Sequence, residues 1–176
     1  MKSVFRFYVF LSVLCGGLAA RAEVAFSPSA SYFTQDDEVD GVTSESELST
    51  YDFKLGYVHS SGLFLGGMYQ MSSVNDDKAT AVGPTLGFKH FSGFYALFTY
   101  FLMAEQDSGA TTTFTDGMGP QIDVGWMFPL TYMFYIGPQI SYRSINYSKA
   151  DISGASTEVD YTRSNVLPYI SLWFRF

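Results

Sequence analysis

The densest run of metal-type ligands in the chain is Asp36-Asp37-Glu38-Val39-Asp40-Gly41, with a further carboxylate at Glu47. Asp36, Glu38, Asp40 and Glu47 stand at positions 1, 3, 5 and 12 of a loop frame whose position 6 is Gly41. That is the spacing by which EF-hand loops wrap hard oxygen ligands around Ca²⁺. The frame departs from the pattern in two ways. Position 3 is Glu38 where Asp or Asn is usual, and the flanking segments alternate like strands instead of helices. The segment therefore reads either as a Ca²⁺ site or as a solvated acidic loop. A third reading, bridging by divalent ions to anionic lipopolysaccharide, lies between the two.

A second constellation is carried by alternation. Asp52, Lys54, Lys89, Asp123, Arg143, Arg163 and Arg175 all fall on the polar faces of period-two segments. In a closed ring those faces meet, and unpaired buried charge is expensive. Lys54 and Asp123 lie at similar distances from their strand ends and are expected to pair across the interior. With Asp52 and Arg143 they make a lumen charge network, read either as a structural plug or as the lining of a narrow pore. General acid–base chemistry needs a base beside a nucleophile, or paired acids. The chain has two histidines, His59 and His90, both in tight turns. Asp76, Asp77, Glu105, Asp107 and Asp116 offer an acid pair at the opposite end, but solvated loop acids are the plainer reading. No phosphate-cradling glycine loop, Cys/His cluster or dinucleotide fingerprint is present. No catalytic or cofactor-binding residue is assigned, and the chain is read as non-enzymatic.

The elements that must position these residues are strands. Alternation places them near 24–34, 49–59, 63–73, 80–90, 93–104, 117–128, 131–144 and 160–176. In the second, Tyr51, Phe53, Leu55 and Tyr57 alternate with Thr50, Asp52, Lys54 and Gly56. The fifth is apolar on both faces, so its register is open, and ten strands remain an alternative to eight. Connections alternate between tight turns (59–62, 90–93, 128–131) and longer polar loops (35–48, 73–79, 105–116, 145–159). A weak repeat, Gly83-Pro84, Gly119-Pro120-Gln121, Gly137-Pro138-Gln139 and the looser Leu167-Pro168, puts prolines on the apolar face. Proline forfeits a ladder hydrogen bond, so local bulges are expected there.

Ahead of the strands, Lys2 and Arg6 precede an apolar core over residues 7–15, and Ala20-Arg21-Ala22 fits a cleavage site. Residues 1–22 read as a Sec-type signal peptide and 23–176 as the mature domain. The one cysteine, Cys15, falls in the signal, so the mature chain holds no disulfide. Acids outnumber bases 17 to 10 with no basic run, which argues against a nucleic-acid partner. Aromatics make up 18% of the chain, yet mean hydropathy is near zero. That combination suits a membrane β-barrel, whose lipid-facing and lumen-facing residues alternate. Period two alone also fits a soluble barrel with an apolar interior. The polar face, mostly Gly, Ser, Thr and Gln with scattered charges, is poor in the Lys and Glu that a water-exposed surface carries. Tyrosines and tryptophan gather at strand ends, as interfacial girdles require.

The last strand, Tyr169-Ile170-Ser171-Leu172-Trp173-Phe174-Arg175-Phe176, resembles the assembly signal of bacterial outer-membrane barrels, with Ile170, Leu172, Phe174 and Phe176 in the matching positions. With the signal peptide, size and strand count, the mature chain is similar to the eight-stranded barrels of the OmpA/OmpX type. The resemblance implies an all-β, eight-stranded antiparallel up-and-down transmembrane β-barrel in the bacterial outer membrane. It implies as partners the barrel-assembly machinery, outer-membrane lipid and lipopolysaccharide, and a monomeric state. The functions then open are envelope integrity or surface interaction through acidic loops, a narrow small-solute pore, and lipid modification.

Overall fold

The structure, a computed structural model, describes residues 22–39, 42–75, 77–108, 112–152 and 154–176, with backbone alone at 34–39 and 42–46. Of the segment 1–22 read as a signal peptide, residues 1–21 lie outside the described residues, and Ala22 is the first residue of β1. The strands are β1 (Ala22–Val39), β2 (Val42–His59), β3 (Leu63–Val74), β4 (Asp77–Lys89), β5 (Phe94–Phe101), β6 (Met103–Ser108), β7 (Thr112–Trp126), β8 (Phe128–Pro129), β9 (Phe134–Ile152) and β10 (Ala155–Arg175). β5 and β6 are two halves of one stave broken at Leu102, and β8 is a short flap on β9. Among the described residues, eight antiparallel staves close into a ring, each bonded to its chain neighbours and β1 to β10.

Alternation decides what each face meets. On β2, Thr50, Asp52 and Lys54 are wholly buried in the lumen, while Tyr51, Phe53, Leu55 and Tyr57 stand on the outside. Leu65, Val166 and Ile170 on other staves are about 60% exposed, so the apolar face is the outer one (61%, 62% and 57%). An apolar belt of that extent is far beyond what a water-soluble surface carries, and hydrocarbon is the solvent it suits.

Three expectations are corrected. The segments 35–48, 73–79, 105–116 and 145–159 are not long loops. Strand pairing runs through most of each, as in Thr34↔Glu47, Asp36↔Glu45 and Glu38↔Thr43. These continuations are polar apart from a few residues such as Phe114, Ile145 and Tyr147, so hydrophobic periodicity sees too little of them, yet ladder bonding satisfies their backbone as well as water would. The longest break between main staves lies at the opposite end, from Trp126 to Phe134, where a tight turn was expected.

The fifth stave changes face partway. Tyr95, Leu97, Thr99 and Phe101 point inward, and beyond Leu102 the inward positions are Ala104 and Gln106. The cause is a one-residue register shift against β4, from Thr85↔Thr99 to Val82↔Met103. Pro84 lies in the gap. Its N–H is missing, and the extra residue opposite takes up the slack.

The other prolines break a ladder without shifting it. Pro120 is paired with Tyr100, and the β7–β9 ladder skips it while keeping register. Pro138 and Pro168 are paired within β9–β10 and lie just beyond the ends of their other ladders. Pro28 is paired with Phe53 and sits in a gap between Phe26↔Phe174 and Ser29↔Ser171. Opposite it, the carbonyl of Leu172 accepts a hydrogen bond from Ser27 Oγ instead (2.8 Å). The expected bulge therefore occurs at Pro84 and not at the remaining strand prolines.

Candidate functional site: the filled lumen and its two ends

The lumen is filled in layers, and its lower end, nearest the turns at 60–62 and 90–93, is aromatic. Ala25, Val58, Phe64, Tyr95, Leu97, Met127 and Trp173 form one buried cluster, none more than 6% exposed. Trp173 sits edge-on to Phe64, with ring centroids 5.5 Å apart, and tilts against Tyr95 at 6.0 Å. The Tyr95 ring lies so close over Gly125 that a Cβ there would come within 2.6 Å of it. The interior is therefore not simply polar, as alternation suggested. Bulky inward side chains on β3 and β5 are accommodated because a facing position is glycine, Gly56 for Phe64 and Gly125 for Tyr95.

The middle layer is charged and balanced. Lys54 Nζ lies 3.1 Å from Asp123 and 3.6 Å from Asp52, all three without solvent exposure. Gln121 Nε2 donates to Asp52 (3.0 Å) and Asp123 (2.8 Å), and Gln70 Nε2 donates to Asp52 (2.8 Å). Arg143 donates to the Gln70 carbonyl oxygen. Two carboxylates and two cations thus cancel within one hydrogen-bonded group, the condition under which buried charge is tolerable. The structure brings together all four residues of the charge network. The glutamines that join them are additional. Gln139 makes a second hub, accepting from Tyr95 OH (2.9 Å) and Ser171 Oγ (2.7 Å) and donating to Ser141 Oγ (2.6 Å). Both Gln121 and Gln139 follow the repeated Gly-Pro, so the signal was present: a residue next to an outward proline must point inward.

Above the charges, Met68, Ala81, Phe101, Ala104, Ile145 and Tyr147 form a second apolar cluster on one side. At the upper rim the candidate acids are spread apart. Asp107 accepts from Thr113 Oγ1 (2.9 Å), Asp77 from Ser108 Oγ (3.1 Å), and Asp116 pairs with Lys149 (2.7 Å). Its hydrogen bond to Asp116 holds the Lys149 ammonium above the ordinary lysine pKa. Each of these acids is bonded to a hydroxyl or an ammonium. Asp76 and Asp40 lie outside the described residues, as do the side chains of Asp36 and Glu38. Of the Ca²⁺ candidates only Glu47 is fully described, and its N–H donates to Asn75 (3.1 Å). Among the described residues no group of three or more His, Cys, Asp or Glu is placed to hold a metal.

At the lower rim, Ile170 and Phe176 are exposed on the outer face, while Leu172 and Phe174 are half-buried there. Phe174 stacks on Phe134 (4.8 Å) and Phe26 (6.3 Å), and Phe176 and Val24 exchange backbone hydrogen bonds. His59 and His90 occupy turns of one design, His-x-Ser-Gly, at His59-Ser60-Ser61-Gly62 and His90-Phe91-Ser92-Gly93. In each, the serine N–H donates to histidine Nδ1 (3.2 Å) and the glycine N–H to the histidine carbonyl (2.8 and 3.1 Å). Gly62 and Gly93 have φ of +93° and +101°, open to glycine without strain.

Comparison with solved structures agrees with this architecture. The outer membrane protein OprG from Pseudomonas aeruginosa aligns with a TM-score of 0.51 and 13% identity, over 88% of this chain and 95% of that one. Neisserial surface protein A aligns with a TM-score of 0.49 and 15% identity, over 88% and 99%. At 13% identity the likeness to OprG is one of fold alone, the outer-membrane β-barrel. No family model matches the chain, and no curated protein matches it.

Proposed function

We propose that this chain is a non-enzymatic outer-membrane barrel of the OmpA/OmpX type that supports envelope integrity or surface interaction through its tall acidic hairpins. Exported by the Sec route and inserted by the barrel-assembly machinery through its final strand, it stands as a monomer among outer-membrane lipid and lipopolysaccharide. The carrying observation is a lumen closed twice, by the Trp173–Tyr95–Phe64 cluster and by the Asp52–Lys54–Asp123–Arg143 network, inside an apolar outer face. A barrel filled this way is a rigid post. It holds the paired extensions of β1–β2 and β9–β10 above the lipid and offers solutes no path.

Two measurements test the reading. Protein from an isolated outer-membrane fraction is expected to shift in electrophoretic mobility only on boiling; recovery from the soluble periplasm would overturn the location. In planar bilayers the purified barrel is expected to give no channel events, and steady unitary conductance would replace the post with a pore. For the envelope role, removing the chain is expected to raise cell permeability to a hydrophobic dye. A variant with its upper hairpins trimmed should fail to restore the barrier.

A further inference from the structure

The two His-x-Ser-Gly turns wall a groove at the lower end of the barrel, together with Lys89 and Arg175. Because a serine N–H donates to each histidine Nδ1, that nitrogen carries the lone pair and the ring proton is on Nε2. Each turn therefore offers one imidazole N–H donor. Lys89 is only 8% exposed, and its ammonium lies over the rings of Tyr135 (4.3 Å) and Trp173 (5.7 Å). Among the described residues it has neither a carboxylate partner nor a hydrogen bond. Arg175 is held by Glu23 (2.6 Å) and by Tyr135 OH (3.3 Å), which leaves N–H groups of its five free. Glu23 does not line the groove, and no other acid does. The rim is apolar: Phe91, 95% exposed, lies tilted beside His90 with ring centroids 3.9 Å apart.

We propose that this groove binds the phosphate of an anionic glycerophospholipid in the periplasmic leaflet. Four donors face a groove that no carboxylate lines, the nearby Glu23 being taken up by Arg175; that calls for an anion, and an exposed phenylalanine at its edge calls for an anion with an apolar portion. Lys89 is a cation desolvated in advance, with aromatic faces supplying part of what a counter-ion would supply. A lipid phosphate completes the set. The proposal rests on the barrel spanning a membrane, which the boiling-dependent mobility shift tests separately.

The test uses the folded, purified barrel in non-ionic detergent, with Trp126→Phe so that emission reports Trp173 alone, beside Lys89. Dihexanoyl-phosphatidylglycerol is expected to change that emission saturably. Dihexanoyl-phosphatidylcholine and inorganic phosphate should each bind about tenfold more weakly, roughly the value of one charge-assisted hydrogen bond. Lys89→Gln is expected to lose about the same factor and Lys89→Arg to keep affinity. If Lys89→Gln disturbs folding, the half-buried turn pair His59→Ala with His90→Ala serves in its place and should weaken binding several-fold. Equal binding of the two lipids, or unchanged affinity in these variants, would overturn the site. Equal binding of inorganic phosphate would overturn the lipid assignment. In a preparation that keeps its mobility shift, either failure leaves the barrel reading standing.

Discussion

The lower and middle layers of the lumen fill the same bore by different means. Around Trp173 the filling is by shape: rings pack edge-on and tilted at 5.5–6.0 Å, and facing glycines make room for Phe64 and Tyr95. Around Lys54 it is by charge: two anions, two cations and amide connectors cancel one another. The first solution tolerates any change that conserves volume, the second any change that conserves charge. Each is blind to the other's constraint, and that is what mutation can probe.

The largest effect is expected from Lys54→Met. It leaves Asp52 and Asp123 buried without their shared cation and should cost about 3–5 kcal/mol, read as a lower urea midpoint in lipid vesicles. Adding Asp123→Leu returns the layer to neutrality and should recover most of the loss. If the double variant is no better than the single one, charge balance is not what holds this layer. Trp173→Ala should cost about the same, roughly 3–5 kcal/mol, through the cavity it leaves. Here no second charge change should rescue it. Gly125→Ala presses a methyl against both the Tyr95 ring and the Pro138 carbonyl, each 2.6 Å away, and should cost about 1–3 kcal/mol. Tyr95→Leu in the same chain should relieve part of that, which separates overpacking from a backbone effect. The smallest effect is expected from Ser27→Ala, about 1 kcal/mol, because it strands the Leu172 carbonyl opposite Pro28. It should show as faster amide exchange along β1 and β10 without a change elsewhere.

The outer face of the barrel was legible from sequence because lipid imposes a strict period of two. Tyr51, Phe53, Leu55 and Tyr57 could be assigned without coordinates, and the face that carries Asp52, Lys54, Asp123 and Arg143 followed from theirs. What lay beyond sequence was whatever breaks or lacks that period. Tyr95, Leu97 and Phe101 are apolar but point inward, so β5 showed no contrast between its faces, and the parity change at Leu102 concealed the register further. The upper hairpins are mostly polar on both sides, and the few apolar residues in them, such as Phe114 and Tyr147, left too short a pattern to read. The Gly-Pro repeat pointed Gln121 inward, but nothing in one strand reveals which residue of another will need a second hydrogen-bond donor, so the roles of Gln70 and Gln121 as connectors stayed hidden. The prolines were seen, but their cause was misjudged. A stave has two ladders, and losing a donor on one side can be absorbed by a gap, or by a hydroxyl such as that of Ser27, without inserting a residue.

The closing seam bears on how the molecule comes to exist. β1 meets β10 through a short ladder between Ala25↔Arg175 and Ala30↔Ile170, while β9 and β10 are paired along nearly their whole length. Glu23 and Arg175, which clasp the foot of that seam, are 152 residues apart. Every other stave pair can zip from a local hairpin as the chain arrives. This one needs both far ends at once, and its few bonds repay little of the loop-closure entropy. Ring closure is thus the natural last event and the slow one. Until it happens, two open edges stand ready to pair with any other strand, so the pace of that step governs whether the chain becomes a barrel or an aggregate.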